Sequence, residues 1–214
     1  STPLYSSAAS DVYKRQAQEM GYVPNQAAIN LKKSRSYVIG LYFSTISKMT
    51  SPFVLHDVLT GVYSVAGSKY NVVVKGIDMH ESGTLNPSYF DGIIVLSQRS
   101  EDMEFMNEVL DKKIPMSVIC RAVDVDAPNV TTDEALAMER AMDYLLENGH
   151  RNIGIIEGNP GLDSSRLRRR GWRTSMTSHG LDPDALPVIS GNYRYASGYT
   201  AAKQLLTFRP TALL

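Results

Sequence analysis

The sequence predicts an α/β fold built on parallel sheets. Short, nearly continuous apolar runs, such as residues 71–75 (NVVVK) and 92–96 (GIIVL), are typical of strands buried on both faces. Between these runs, apolar residues recur at helical spacing, beginning with Leu55, Val58 and Leu59. Strands that alternate with helices favour a parallel sheet that is covered by helices on both faces.

The composition excludes several classes of protein. The 214 residues suffice for one large domain or two small ones, with 43% hydrophobic and 21% charged residues. No apolar run approaches the roughly 18 residues of a membrane span. Because the net charge is zero, any contact with nucleic acid must come from a local patch. The single Cys120 cannot form an internal disulfide, which fits a reducing, cytoplasmic location.

Four strands and two helices are predicted in the first part of the chain. In order, these are strand 37–43, a helix over 52–66, strand 71–75, strand 92–96, a helix over 103–110 and strand 115–120. Pro52 suits the first turn of a helix, and Gly67 stands where that helix should end. Residues 77–90 are too short and too rich in Gly, Asn and Pro for a crossover helix, so we expect a shortened connection.

A second unit of strands and helices begins near Thr131. Thr131 and Glu134 have the spacing of a capping box at the start of a helix. The elements that follow are a helix ending at Gly149, strand 152–157, helix 164–179, strand 186–190 and helix 196–206. Residues 211–214 resemble the start of a further strand, so we expect the second unit to be incomplete.

Residues 21–41 (GYVPNQAAINLKKSRSYVIGL) form a junction before the first strand. Pro24 cannot continue an upstream helix, and Asn25 is a good N-cap for a new one. The helix formers that follow cover only about two turns, which is marginal without a partner. Over residues 14–35, five Lys and Arg residues face a single acidic residue, Glu19.

This junction resembles the hinge of the LacI/GalR family of bacterial transcription regulators. Tyr22-Val23-Pro24-Asn25, Ala28, Leu31 and Ser36-x-x-Ile39-Gly40-Leu41 match it in order and spacing. The resemblance implies a periplasmic-binding-protein-like (type I) core of two parallel-sheet subdomains, preceded by a short hinge helix. It divides the chain into the end of a DNA-binding headpiece with the hinge helix (17–35), an N-subdomain (36–130) and a partial C-subdomain (131–214). Residues 1–16 match nothing and are expected to be a non-native or disordered tail.

In that family, the hinge helices of two subunits enter the DNA minor groove side by side. The resemblance implies that Leu31 is the apolar wedge, that Ala28 lets the backbone approach, and that Asn25 and Lys32 meet phosphates. Many members have Arg at the position of Ile29. The alternative is an ordinary amphipathic helix that packs on the core.

The segment DSSRLRRRGWR (residues 163–173) contains five arginines. At about 100° per residue, four of them share one face, which predicts a solvated surface; these four are Arg166, Arg169, Arg170 and Arg173. Arg168 falls nearly opposite, on the side of Trp172. A charge there needs a polar ligand or a carboxylate, for which Asp163 and Glu157 are the candidates.

The resemblance implies an effector site in the cleft between the subdomains. Arg168-x-x-Gly171-Trp172 matches the family's effector-binding arginine, and Tyr193 matches an aromatic residue that stacks on the effector. Asp163 and Ser165 follow a strand, where ligands gather in open parallel sheets. The alternative for Tyr193 is a surface loop tyrosine.

Phe53 and Arg121 complete the predicted site on the opposite lip. Phe53 begins a helix after Ser51-Pro52, where core packing is the alternative role. Arg121 follows the fourth strand at a cleft-facing family position, but Cys120 stands where the family often has Asp. Asp133 is interpreted as a structural cap.

The sequence contains no catalytic constellation and predicts no cofactor or metal. His56, His80 and His179 share no metal spacing with Cys120, and neither GxSxG nor GxGxxG is present. The resemblance instead implies a cytoplasmic, homodimeric repressor that binds operator DNA and a sugar effector. The alternative function is a periplasmic sugar-binding protein of a transport system, which shares this core.

Overall fold

The computed structural model describes residues 12, 15–16, 19–21, 35–46 and 50–214. The predicted hinge contacts of Asn25, Ala28, Leu31 and Lys32 lie outside the described residues. Upstream, residues 12, 15, 16 and 19 have helical backbone, and the amide of Met20 donates to the carbonyl of Gln16 at 3.0 Å. Helical backbone is therefore present at residues 12, 15 and 16, and the assignment of residues 1–16 as a non-native or disordered tail stays a prediction.

The N-subdomain is a five-stranded parallel sheet with strand order β2-β1-β3-β4-β5. Its elements are β1 (Val38–Phe43), α1 (Pro52–Ala66), β2 (Asn71–Gly76), β3 (Gly92–Leu96), α2 (Asp102–Asp111), β4 (Met116–Ile119) and β5 (Asn129–Val130). The predicted end of α1 is confirmed, because Gly67 adopts φ 57°, a conformation that favours glycine. Both faces of the sheet are covered by apolar side chains, as the strand sequences predict.

The predicted short connection between β2 and β3 is confirmed. Only two 3-10 turns occur between these strands, at Ile77–Met79 and Pro87–Tyr89. Glu108 of α2 holds the connection, because its carboxylate accepts from the amides of Gly83 and Leu85 at 3.1 Å and bonds His80 at 2.9 Å. Hydrogen bonds to a side chain of the neighbouring helix thus hold in place a connection that contains no crossover helix.

The C-subdomain is a three-stranded parallel sheet with order β7-β6-β8. Its elements are α3 (Glu134–Glu147), β6 (Ile153–Glu157), α4 (Asp163–Ser178), β7 (Val188–Ser190), α5 (Tyr195–Leu205) and β8 (Ala212–Leu213). The predicted strand near residue 211 is confirmed, since Ala212 pairs with Ile153 of β6. In the described part of the chain, no helix is long and apolar enough to span a membrane.

The start of α3 corrects one expectation. Thr131 does not cap the helix; its hydroxyl donates to the Thr132 carbonyl at 3.2 Å. The cap is Asp133, whose carboxylate accepts from the amide of Leu136 at 2.9 Å. Aspartate is at least as strong an N-cap as threonine, so the helix begins at Glu134. The interpretation of Asp133 as a structural cap is confirmed.

Helices α3 and α4 pack closely against each other and the C-subdomain sheet. Trp172 is 1% exposed in the core they share with β6, and its indole nitrogen donates to Glu157 at 3.3 Å. Gly171 faces the α3 backbone: an added Cβ would overlap the carbonyl oxygen of Ala135 and lie 3.0 Å from the amide nitrogen of Glu139. The crossing therefore depends on a residue without a side chain.

Candidate functional site

A cavity of about 310 Å³ lies between the two subdomains, at the carboxyl ends of their strands. The N-subdomain contributes the ends of β1, β3 and β4, and the C-subdomain contributes those of β6 and β7. The lining residues are Ser44, Thr45, Thr50, Ser51, Val54, Leu96, Gln98, Cys120, Thr132, Glu134, Leu162, Ser164, Arg168 and Tyr193. We call this cavity the cleft.

Arg168 extends from the first turns of α4 toward the cleft. Its Nε donates to Glu134 at 2.6 Å, and its side chain is 42% exposed. The hydrogen bond to Glu134 raises the pKa of the Arg168 guanidinium, and the neighbouring Tyr193 hydroxyl adds to the rise. Thr132 in turn donates to the other Glu134 oxygen at 3.0 Å. The guanidinium is thus charged and held in place, with part of its fork open to the cleft.

The proposed partners of Arg168, Asp163 and Glu157, are occupied by other arginines. Arg169 donates to Glu157 at 2.8 Å, and Arg166 pairs with Asp163. The alternative role for Arg168, an ion pair with either of these carboxylates, is therefore wrong, and its partner is Glu134. The predicted solvated face is confirmed, since all four of its arginines are exposed or half-exposed. Helical periodicity correctly separated Arg168 from the other four arginines but could not identify its partner.

Tyr193 closes the C-subdomain side of the cleft. Its hydroxyl lies 2.7 Å from the Ser165 hydroxyl, and Tyr193 is near enough to the Arg168 guanidinium to help raise its pKa. Its backbone has φ 61°, a left-handed conformation that is uncommon for a residue with a side chain. Gly158 makes room for it, because an added Cβ would overlap the Tyr193 hydroxyl and lie 2.6 Å from the Ser165 oxygen. Sequence reasoning missed Gly158, although the GNPG run after β6 was a visible signal.

Replacing Gly158 with alanine should displace the Tyr193 ring and lower ligand affinity by about tenfold. The clash falls on the free end of a side chain, so the free energy of unfolding should change little. Isothermal titration calorimetry and urea unfolding measure the two effects. Gly161→Ala is the matched control, because the nearest atom to its Cβ is Asn159 Oδ1 at 3.3 Å. Equal affinities in both variants would contradict the role given to Gly158.

Arg121 and Asp163 pair with each other instead of lining the cleft. Their side chains are 15% and 12% exposed, respectively. Arg121 also donates to the Arg99 carbonyl at 2.8 Å, and the Asp163 amide donates to the Gln98 carbonyl at 2.9 Å. These contacts join the two subdomains beside the cleft. A direct effector contact by either residue stays a prediction.

Phe53 and Ser165 also lie outside the cleft lining, while a neighbour of each lines it. Phe53 is 81% exposed, and Val54 lines the cleft. Ser165 bonds the Tyr193 hydroxyl, and Ser164 lines the cleft. Consecutive residues of a helix point about 100° apart. Helix bounds predicted from sequence are uncertain by a residue or two, so they do not decide which of two neighbours faces the cleft. The effector contacts predicted for Phe53 and Ser165 stay predictions.

The cleft suits an uncharged ligand that carries several hydroxyl groups. Arg168 and Glu134 supply one cation and one carboxylate that neutralise each other, and hydroxyl side chains surround them. The Tyr193 ring offers a flat apolar surface of the kind that packs on a sugar ring. Over the described residues, no group of His, Cys, Asp and Glu could hold a metal ion.

The chain matches known transcription regulators in sequence. Residues 142–214 match the family described as "Periplasmic binding protein-like domain". The chain is 32% identical over 201 residues to "Probable HTH-type transcriptional repressor ExuR" of Bacillus subtilis (strain 168), covering 92% of this chain and 60% of that one. It is 29% identical over 217 residues to "HTH-type transcriptional regulator CelR" of Thermobifida fusca, covering 96% and 63%. The chain thus spans about three-fifths of the length of these relatives.

Solved structures show the same fold. A regulatory protein of the LacI family from Chloroflexus aggregans superposes with a TM-score of 0.66 at 21% identity, covering 83% of this chain and 67% of that one. The "transcriptional regulator CelR-cellobiose complex" superposes with a TM-score of 0.65 at 24% identity, covering 99% and 65%. The chain is similar to LacI-family transcriptional regulators and has a periplasmic-binding-protein-like type I core.

Proposed function

We propose that this chain is the effector-binding core of a ligand-responsive transcriptional repressor and that its effector is a sugar. The observation that carries the proposal is the cleft, where Arg168, Glu134 and Tyr193 meet at the ends of strands from both subdomains. Sequence relatives named as transcriptional repressors support the regulatory role. A structural neighbour in complex with cellobiose supports a sugar as the class of effector.

A ligand in this cleft contacts both subdomains and therefore favours one arrangement of the two over others. The N-subdomain can pass that change to the segment before β1. The Asp91 carboxylate accepts from the Ser36 amide at 2.7 Å and from its hydroxyl at 3.0 Å, which ties the residues after the predicted hinge to the sheet. Because coupling between two sites is reciprocal, operator DNA and effector change each other's affinity.

The intact protein is proposed to act as a cytoplasmic homodimer on operator DNA, without catalysis. In this proposal, Leu31 wedges into the minor groove, Ala28 permits close approach, and Asn25 and Lys32 contact phosphates. Base recognition belongs to a helix-turn-helix headpiece. The named relatives are regulators, which favours this function over a transport-system binding protein.

The test is a thermal-shift screen followed by calorimetry. The probes are D-glucose, D-galactose, D-ribose, cellobiose and fructose 1-phosphate. A sugar that binds the folded chain should raise its melting temperature. At a hundredfold excess of sugar over Kd, binding adds about 2.7 kcal/mol to the free energy of unfolding. The same sugar should then change the affinity of the intact protein for its operator. Sugar binding without any effect on DNA binding would favour the transport alternative and contradict the regulatory proposal.

A further inference from the structure

We propose that Glu134 sets the charge specificity of the cleft: because it neutralises Arg168, the cleft binds neutral sugars and rejects sugar acids. This inference rests on the sugar-binding function proposed above. Glu134 lies at the start of α3, where the chain crosses from the N-subdomain to the C-subdomain. It acts through Arg168 and is therefore a positioning residue, which selects the class of sugar without having to contact it.

Glu134 and Arg168 carry the two charges of the cleft lining. The other described lining residues have apolar side chains or neutral polar ones, mostly with hydroxyl groups. Cys120 is among them: burial raises the pKa of its thiol, the bond from Gln98 offsets part of the rise, and the nearby Glu134 carboxylate adds to it. The thiol is therefore protonated at neutral pH. The described lining thus has no net charge, and this balance depends on Glu134.

The other carboxylates close to Arg168 in sequence are already paired with different arginines. These pairs are Asp163 with Arg121 and Arg166, and Glu157 with Arg169. Neither carboxylate lines the cleft. Removing the charge of Glu134 would therefore leave Arg168 as a cation that faces the cleft without compensation.

The Glu134 carboxylate is held in one position. One oxygen accepts from Arg168 Nε at 2.6 Å, and the other accepts from the Thr132 hydroxyl at 3.0 Å. Its backbone is fixed as well, because Asp133 caps α3 and Glu134 is the first helical residue. A carboxylate in this turn is also favoured by the helix dipole. The side chain is only 21% exposed, so water screens the pair with Arg168 incompletely.

This pair favours a neutral sugar over its acid. A sugar acid placed against Arg168 would bring a second carboxylate to an arginine that already has one, and the two like charges repel each other. A neutral sugar adds no charge, and its hydroxyl oxygens can accept from the guanidinium N–H groups that Glu134 leaves free. Without Glu134, the same arginine would be a strong, bidentate partner for a carboxylate.

The test compares a neutral sugar that binds in the screen above with the acid that differs from it in one carboxylate. Suitable pairs are D-glucose with D-glucuronate and D-galactose with D-galacturonate. Wild type should bind the neutral sugar about tenfold or more tightly than the acid. Glu134→Gln keeps the size and an acceptor for Arg168 but removes the charge, so this ratio should fall about tenfold or more. Calorimetry measures all four affinities.

Two control variants separate charge from shape. Glu134→Asp retains the charge on a shorter side chain, so the preference for the neutral sugar should persist even if both affinities fall. Glu147→Gln removes the same charge from the exposed end of α3 and should change neither affinity.

Salt provides a second measurement that needs no variant. The preference of wild type for the neutral sugar should weaken between about 0.1 M and about 1 M sodium chloride, as the screening length falls from about 10 to about 3 Å. A preference that salt does not change would attribute selectivity to shape and overturn the inference.

The remaining outcomes distinguish this inference from the function on which it rests. Tighter binding of the acid than of the neutral sugar by wild type would overturn the inference but leave the sugar-binding function standing. An unchanged ratio in Glu134→Gln would overturn the role of Glu134. Failure of every probe to bind wild type would overturn the proposed function and this inference together.

Discussion

Replacing Arg168 with alanine should lower sugar affinity by about a hundredfold or more, since charge-assisted hydrogen bonds are roughly twice as strong as neutral ones. The change also leaves the Glu134 carboxylate facing the ligand without its cation. The fold should persist, because the Arg168 side chain is 42% exposed and the α4 core contacts come from other residues. Calorimetry measures the affinity, and urea unfolding with far-UV circular dichroism tests the fold.

Two further substitutions on α4 separate charge from geometry. Arg170→Ala removes an exposed arginine from the same helix and should leave sugar affinity unchanged. Arg168→Lys retains the charge but loses the planar fork, so its affinity should lie between wild type and Arg168→Ala. Wild-type affinity in Arg168→Ala would return this arginine to a purely structural role.

Replacing Gly171 with alanine should destabilise the chain by about 3 kcal/mol or more. The added Cβ would overlap the Ala135 carbonyl oxygen and crowd the amide of Glu139. Both atoms belong to the backbone of α3, so no side-chain rotation can relieve the contact. The helices must move apart, which would open the core around Trp172. Urea unfolding monitored by the fluorescence of Trp172, the only tryptophan, measures the loss.

Gly198→Ala is the matched control in the same subdomain. Gly198 lies within α5, and an added Cβ meets nothing within 4 Å. Alanine should therefore raise helix stability by about 0.5–1 kcal/mol. If Gly171→Ala unfolded at the same urea concentration as wild type, the close crossing of α3 and α4 would be disproved.

Most of the fold could be predicted because its signals are local. The apolar run of β3 and the period of α1 gave these elements nearly their observed bounds. The predicted start of α3 was wrong because two capping patterns overlap in the sequence. Thr131 with Glu134 fits one of them, and Asp133 fits the other. Only the backbone conformation decides between competing caps.

The cleft was predicted in part. The sequence did not predict the contacts in it between residues that are far apart along the chain. Helical spacing and family resemblance picked out Arg168 and Tyr193, which line the cleft. Glu134 drew attention only as a capping residue, although it holds Arg168 from 34 positions away in sequence. Gln98 carried no local signal at all. A periodic pattern fixes the face of a side chain but not what that face meets across the fold.

The pair of Arg121 and Asp163 has a consequence for the rate of effector uptake. These charges face each other across the subdomain boundary, and the Asp163 amide also bonds the Gln98 carbonyl from the opposite wall. Separating the walls must hydrate two largely buried charges and break that bond. A bulky ligand can then enter only as often as the walls part. Its association rate should therefore reach a plateau at high ligand concentration instead of rising in proportion to it.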